Sequence, residues 1–190
     1  MNFSKPAIVT GIILGSILVI GLWVGGNYNS LVTSKNAVDN SWSKVETQYQ
    51  RRFDLIDNLV ASTKGAQVQE QKVFLGIAEA RTAYAKASTT NDKVAAAQQI
   101  DTQIALIPRL QEAYPELKSN QQVQSLMNEL TGTENNIASA RNDFNDTATN
   151  YNNNITRFPK SLFAGAFNFE KQSLFKADVG ASKAVKVNLQ

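Results

Sequence analysis

The chain has 190 residues and a formal net charge of +3, with 43% hydrophobic and 18% charged residues. These values are typical of one globular domain plus an anchor. The chain contains neither cysteine nor histidine, which excludes disulfides, thiolate zinc sites, cysteine nucleophiles and histidine bases. No nucleotide-binding or calcium-binding motif occurs, and the charge is too small to indicate nucleic acid. We therefore predict a protein that is not an enzyme, holds no cofactor or metal and binds no nucleic acid.

An apolar run opens the chain. Residues 7–24 read AIVTGIILGSILVIGLWV, and no charged residue occurs between Lys5 and Lys35. The run approaches the roughly 20 residues that cross a bilayer as a helix, and it exceeds the roughly 7–15 apolar residues of a cleaved signal peptide, which is the alternative. We predict a single-pass anchor over residues 1–26. Lys5 favours a short inner tail, which would place the rest of the chain outside the cytoplasm.

Four later stretches repeat apolar residues at steps of three and four, the period of helices that pack along a seam. We predict that Asp92 caps the third helix and that Pro108 kinks it. The fold class is therefore all-α: a transmembrane helix, then an antiparallel up-down four-helix bundle over residues 27–158, with long first and fourth helices. The four seams are Val38, Trp42, Val45, Tyr49, Arg52, Ile56 and Leu59; Glu70, Phe74, Ile77, Arg81 and Tyr84; Ala97, Ile100, Ile104, Ile107 and Tyr114; and Val123, Met127, Leu130, Glu134, Ile137, Arg141, Phe144, Ala148, Tyr151, Ile155 and Phe158.

Several short motifs occur along the chain. They are GNYNSL at 26–31, Trp42, QYQRR at 48–52, DLI at 54–56, NLV at 58–60, YPELK at 114–118, EL at 129–130, TEN at 133–135, AR at 140–141, YN at 151–152 and FP at 158–159. In this order they resemble the LemA family of bacterial membrane proteins. The resemblance implies an N-terminal anchor and an antiparallel helical bundle, and it implies no settled biochemical activity. Some relatives in the family are linked to the building of bacterial internal membranes.

Charged residues interrupt the apolar seams. A buried charge must be paired or reach solvent, so we favour a structural network in which Glu134 pairs with Arg52 or Arg141. The alternative is a ligand site in which arginines converge on a carboxylate or phosphate. Arg51 is predicted to point to the flank of its helix. The network consists of Arg52, Arg81, Glu134 and Arg141, with Glu70 at its edge and with Asn135, Asn145, Asn152 and tyrosines as further acceptors.

The C-terminal part, residues 159–190, begins with a phenylalanine-rich segment. If the fourth helix returns toward the membrane, this segment arrives near the bilayer surface. It then either lies in the interface as an amphipathic helix or folds back as a cap over the bundle. Residues 177–190 have no pattern and are predicted to be a tail. The candidate interfacial contacts are Leu162, Phe163, Phe167 and Phe169.

Together these features predict a membrane-anchored bundle that acts as a non-enzymatic interaction or assembly scaffold at the bacterial membrane, with protein partners or with itself. One alternative is a lipid-binding or membrane-remodelling protein that uses the anchor and the phenylalanine-rich segment. Another is a ligand-sensing domain that uses the arginines of the seam.

Overall fold

The computed structural model describes residues 5–63, 71–107 and 120–176. Within these ranges the chain forms five helices and no strand, so the predicted all-α class is confirmed. The helices are α1 (Lys5–Thr63), α2 (Gln71–Lys86), α3 (Thr90–Ile104), α4 (Gln121–Thr156) and α5 (Lys160–Ala166).

Helix α1 is continuous over 59 residues, which corresponds to about 88 Å at 1.5 Å per residue. The sequence analysis separated an anchor from the bundle at Gly26, but α1 passes through Gly25 and Gly26 without a break. Each glycine costs a helix interior only about 1 kcal/mol, and the long flanking helical segments outweigh that cost. The predicted anchor and the first predicted bundle helix are therefore one rod.

The surface of α1 changes along its length. From Val9 to Leu22 its large apolar side chains are exposed, whereas from Leu31 onward one face is buried. Within the described residues, α1 is the one helix long and apolar enough to cross a membrane. All seven seam residues predicted for α1, from Val38 to Leu59, are buried.

Helix α4 packs along the buried face of α1. The contacts occur in reverse order along the two helices: Asn154 donates a hydrogen bond to Ser34 at 3.0 Å, and Glu134 contacts Arg52 farther along. The apolar spacing predicts the fourth helix over about residues 120–157, and α4 spans Gln121–Thr156. Asn120 caps its start by accepting from two backbone N–H groups at 3.0 and 3.2 Å. Phe158 was predicted to lie on the seam, but α4 has already ended and the side chain is 79% exposed.

Helices α2 and α3 pack on one another. The cap of α3 is Thr89, whose hydroxyl accepts from the backbone N–H of Asp92 at 3.1 Å and donates to the Asp92 carboxylate at 2.8 Å. The prediction that Asp92 is the cap was therefore wrong by three residues. Asp92 lies inside the first turn of α3, and its side chain and backbone both bond to the hydroxyl of the true cap, Thr89. The predictions for Glu70, Pro108, Tyr114 and the tail from residue 177 concern positions outside the described residues.

Candidate functional site

A network of polar side chains crosses the interior where α1, α3 and α4 meet. Arg52 donates to Asp101 at 3.1 Å and to Glu134, and Arg141 donates to Asp101 and to the hydroxyl of Tyr49. Tyr49 also donates to the two Asp101 oxygens at 3.1 and 3.2 Å. Asp101 thus contacts three partners and is the centre of the network.

Arg52 is the most deeply buried charge in the network, with 1% of its side chain exposed. A guanidinium withdrawn from water to this degree is stable only with carboxylate partners. Burial lowers the pKa of Arg52, and the charge of Asp101 offsets part of that effect. Burial also lowers the pKa of Arg141, but Tyr49 and Asp101 outweigh it and the net change is upward. Both arginines remain charged at physiological pH.

The register of α4 explains how two charged residues reach a buried network. Its buried face passes through Thr133 and Ala140, one residue before Glu134 and Arg141. These two lie at the edge of the seam, and their long side chains extend inward. The side chain of Glu134 is 52% exposed even though its carboxylate contacts Arg52.

Arg81 lies apart from this network, although the sequence analysis included it. Its side chain is partly exposed and donates to the Asp57 carboxylate at 2.8 and 3.0 Å. Its guanidinium also lies 5.0 Å from the centre of the Phe53 ring. Because α2 contacts α1 near the end of the described part of that helix, its seam arginine reaches the domain surface.

Asp101 was missed by the sequence analysis, although a signal existed. It lies four residues after Ala97 and three before Ile104, which is the seam spacing of α3. The excess of arginine over glutamate in the seams also indicated a further acceptor. The further acceptors for the arginines are Asp101 and Tyr49. Asn145 and Asn152 instead donate to the backbone C=O groups of Phe175 and Gln172.

A cavity of about 290 Å³ opens beside the network. Two carboxylates and one guanidinium line it together with apolar side chains, so its walls do not form the basic pocket that an anionic ligand needs. Of the three predicted arginines only Arg141 lines the cavity, and both Arg141 and Arg52 are already paired with carboxylates of the chain itself. The lining residues are Asp101, Ile104, Ala105, Met127, Leu130, Thr131, Glu134 and Arg141.

Helix α5 forms a second candidate surface, at the level where the apolar part of α1 ends. It packs against α1 and α4. The Phe163 ring lies edge-on to Trp23 with 5.4 Å between ring centres. Lys160 donates to Ser30 at 2.8 Å.

Of the four predicted interfacial residues, two are open to solvent. Leu162 and Phe167 are exposed, whereas Phe163 and Phe169 are partly buried against the core. The Tyr28 ring lies 5.0 Å from that of Phe167 and 6.0 Å from that of Phe169. The segment therefore combines a packed face with an exposed apolar face.

Replacing Asp101 with alanine is expected to lower the free energy of unfolding by about 3 kcal/mol, because it leaves the buried Arg52 with only a half-exposed partner. Glu134→Ala is expected to cost less, since Arg52 keeps Asp101. Denaturant titration of the full chain in detergent, followed by circular dichroism, measures both. Asp54→Ala, at an exposed position of α1, serves as the control and is expected to change stability by less than about 0.5 kcal/mol. A larger loss for Glu134→Ala than for Asp101→Ala would contradict the central position of Asp101.

The pH dependence of stability reports on Tyr49. Burial and then the charge of Asp101 raise the pKa of Tyr49 well above its ordinary value. The folded chain therefore retains this proton where the unfolded chain loses it, so stability falls as pH rises above about 10. Tyr49→Phe is expected to be less stable at pH 8, where it lacks hydrogen bonds, and the difference from the parent is expected to narrow between pH 10 and 11. A difference that stays constant over this range would argue against a buried neutral Tyr49.

The sequence model of the LemA family matches residues 41–189, which include α2 to α5 and the buried half of α1. Magnetosome protein MamQ 2 of Paramagnetospirillum magneticum is 25% identical over 175 residues, covering 78% of this chain and 64% of the relative. Magnetosome protein MamQ of Magnetospirillum gryphiswaldense is 25% identical over 174 residues with the same coverage. The chain thus spans 64% of the length of these relatives. The family match extends over most of the chain and over every helix of the polar network, and the chain belongs to the LemA family.

Proposed function

We propose that the chain is a single-pass membrane protein whose helical domain acts as a non-enzymatic interaction or assembly scaffold at the bacterial membrane. The observation that carries the proposal is the continuity of α1. One helix bears the exposed apolar surface of a membrane span and the buried face that organises the domain. Anchor and scaffold are then parts of a single rigid element.

The proposed domain organisation has three parts: an anchor over residues 1–26, an antiparallel up-down four-helix bundle over residues 27–158, and a C-terminal part over residues 159–190. The reverse order of contacts between α1 and α4 supports this topology. So does the packing of α2 on α3. With the short tail inside, the bundle would stand outside the cytoplasm.

The polar network supports a structural role for the seam charges over ligand sensing. Arg52 and Arg141 already contact Asp101, and Glu134 contacts Arg52 as well. Fixed partners of this kind determine helix register, and a scaffold depends on fixed register to present a constant surface. The interaction surface would then lie on the exposed faces of the helices.

Arg51 lies on one such face. It is exposed on a shallow groove of about 560 Å³ between α1 and α2, beside Glu46, Thr47 and Tyr84. The groove mixes charged, hydroxyl and aromatic groups, and it lies beyond the membrane-proximal part of α1. A surface of this composition suits a protein partner or a second copy.

A photo-reactive amino acid at position 51 is expected to give a discrete product above 20.8 kDa, the mass of the chain, when intact membranes are irradiated. The same amino acid at position 45, where Val45 is buried, is the matched control and is expected to give products within one chain. The readout is electrophoretic mass, with mass spectrometry of the product. If exposed positions 50, 51 and 54 yield only the single chain, the scaffold proposal fails.

From the MamQ relatives, named as magnetosome proteins, we carry over only the helical domain. The chain covers 64% of their length, so an activity of the whole relative does not transfer. The shared domain and the anchor favour a role in an assembly at a membrane.

A second candidate function, lipid binding beside the anchor, is supported by the exposed face of α5. Phe158, Leu162 and Phe167 are 79%, 62% and 48% exposed, and α5 packs on α1 beside Trp23. Aromatic and leucine side chains at this level match the depth at which interfacial helices bind. Together with the span they would act on lipid as one surface and remodel the membrane.

Because the chain has no cysteine, single labels test this second candidate directly. A fluorophore on Leu162→Cys is expected to be quenched by brominated lipids when the full chain is reconstituted in vesicles. A fluorophore on Asn58→Cys is the control, since position 58 lies 35 residues beyond Trp23, about 52 Å along the helix. Equal, weak quenching at both positions would exclude α5 from the interface.

A further inference from the structure

After α5 the chain runs back along α4 as a segment without regular secondary structure, residues 169–176, here called the strap. Asn152 binds Gln172 through both backbone groups: its Oδ1 accepts from the N–H at 2.8 Å and its Nδ2 donates to the C=O at 2.9 Å. Asn145 binds Phe175 in the same way, at 2.9 and 3.0 Å. Each asparagine thus satisfies one residue of the strap completely.

The spacing of these two asparagines fits an extended chain. Seven residues along α4 correspond to about 10.5 Å, and three residues of extended chain span about 10 Å. Asn145 and Asn152, two turns apart on α4, can therefore bind two strap residues that are three positions apart. This match makes α4 a template for an extended backbone.

The opposite edge of the strap is bound from α3. Asn91 accepts from the N–H of Ser173 at 2.6 Å and donates to the C=O of Lys171 at 3.1 Å. The backbone groups of Gln172 contact α4, whereas the C=O of Lys171 and the N–H of Ser173 contact α3. Three amide side chains thus hold the strap on both edges through contacts that do not depend on its side chains.

One side chain anchors the strap. Phe175 is buried, with its ring stacked on Trp42 at 6.0 Å and edge-on to Phe144 at 5.8 Å. The guanidinium of Arg141 lies 4.8 Å from the centre of the Phe175 ring, a cation–π contact. Most other strap side chains are exposed and Phe169 is partly buried, so the groove along α4 binds an extended backbone with Phe175 as its most deeply buried side chain.

The turn into the strap contains a left-handed residue. Asn168 has φ of 55°, a conformation that costs most residues with a Cβ atom about 1–2 kcal/mol and that asparagine adopts at a lower cost. It is the one non-glycine residue with positive φ in the described part of the chain. If Asn168 adopted an ordinary extended conformation, the strap would leave its own α4 and continue outward. The strap thus follows a turn in an uncommon conformation, and the strap of a second copy could make the same contacts with α3 and α4. This combination favours the exchange of a segment between chains.

We propose that this groove is a self-assembly site, in which the strap of a second copy replaces the chain's own strap. Exchange reproduces the six asparagine contacts and the Phe175 anchor, and it relieves the turn at Asn168. Copies anchored in one membrane share an orientation and a high local concentration, which favours the exchanged pair. The proposal deepens the scaffold function and rests on it, because it names the partner as a second copy and the surface as the strap groove.

The test uses two differently tagged full-length chains reconstituted in the same vesicles, one carrying Asn91→Cys and the other Ser173→Cys. A short thiol-specific cross-linker is expected to join the two tags. A single chain with both substitutions must also cross-link, which shows that the pair is within reach. The matched control replaces Asn91→Cys with Asn58→Cys, an exposed asparagine of α1 that lies 16 residues beyond Trp42, the α1 contact of Phe175, and is expected to give no joined product.

Substitutions at position 168 report on the turn itself. Asn168→Val disfavours positive φ and is expected to raise the yield between chains at least about fivefold, whereas Asn168→Gly is expected to lower it. If the double-cysteine chain cross-links but the two single-cysteine chains never do, in any of the three backgrounds, exchange is overturned. If the photo-reactive group at position 51 still gives products larger than one chain, the scaffold function stands, and its partner binds at a surface other than the strap groove. Loss of both signals would overturn both proposals.

Discussion

The burial of one guanidinium is the constraint on which the domain depends. Arg52 is the largest fully buried side chain in the described structure, and it lies on the helix that carries the candidate membrane span. Its charge requires carboxylates from α3 and α4 at the same depth. A slip of α3 by one residue would rotate Asp101 by about 100° around its helix and leave Arg52 unpaired. The charge therefore selects one register for the three helices. Apolar packing alone would specify this register less strictly.

The same network extends from the interior to the surface. Arg141 contacts Asp101 and Tyr49 on one side and the ring of Phe175 on the other. The guanidinium that helps to neutralise the core carboxylate also forms a wall of the strap groove. The position of this wall of the groove therefore follows from the register that Arg52 imposes.

The sequence predicted the helices and the core better than it predicted the partners of the polar residues. Heptad spacing is local, so the buried face of α1 and most of the buried face of α4 follow from it directly. The pairing of Arg52 with Asp101 joins residues 49 positions apart, and spacing within one helix contains no information about which helices meet at that depth. Arg81 has the same seam spacing but contacts Asp57, because the position of a short helix along its neighbour depends on the tertiary packing.

The strap was not predicted for a related reason. Residues 169–176 have no period of their own, and their conformation is determined by amide groups on α3 and α4. The sequence analysis interpreted Asn145 and Asn152 as acceptors for buried arginines, because polar residues near a charged seam favour that interpretation. Their spacing of seven is common to helix packing and to the binding of an extended chain, and only the position of the C-terminal segment distinguishes the two.

The uninterrupted α1 also makes the domain a lever. From Trp23 to Thr63 the helix extends about 60 Å, and neither glycine of the pair at 25 and 26 interrupts it. A span seldom stands upright in a bilayer; a tilt of about 20° is ordinary, and it depends on membrane thickness. Over this length such a tilt displaces the far end sideways by about 20 Å. A change of tilt in a span that continues into so long a helix would therefore move the far end of the domain toward different neighbouring molecules.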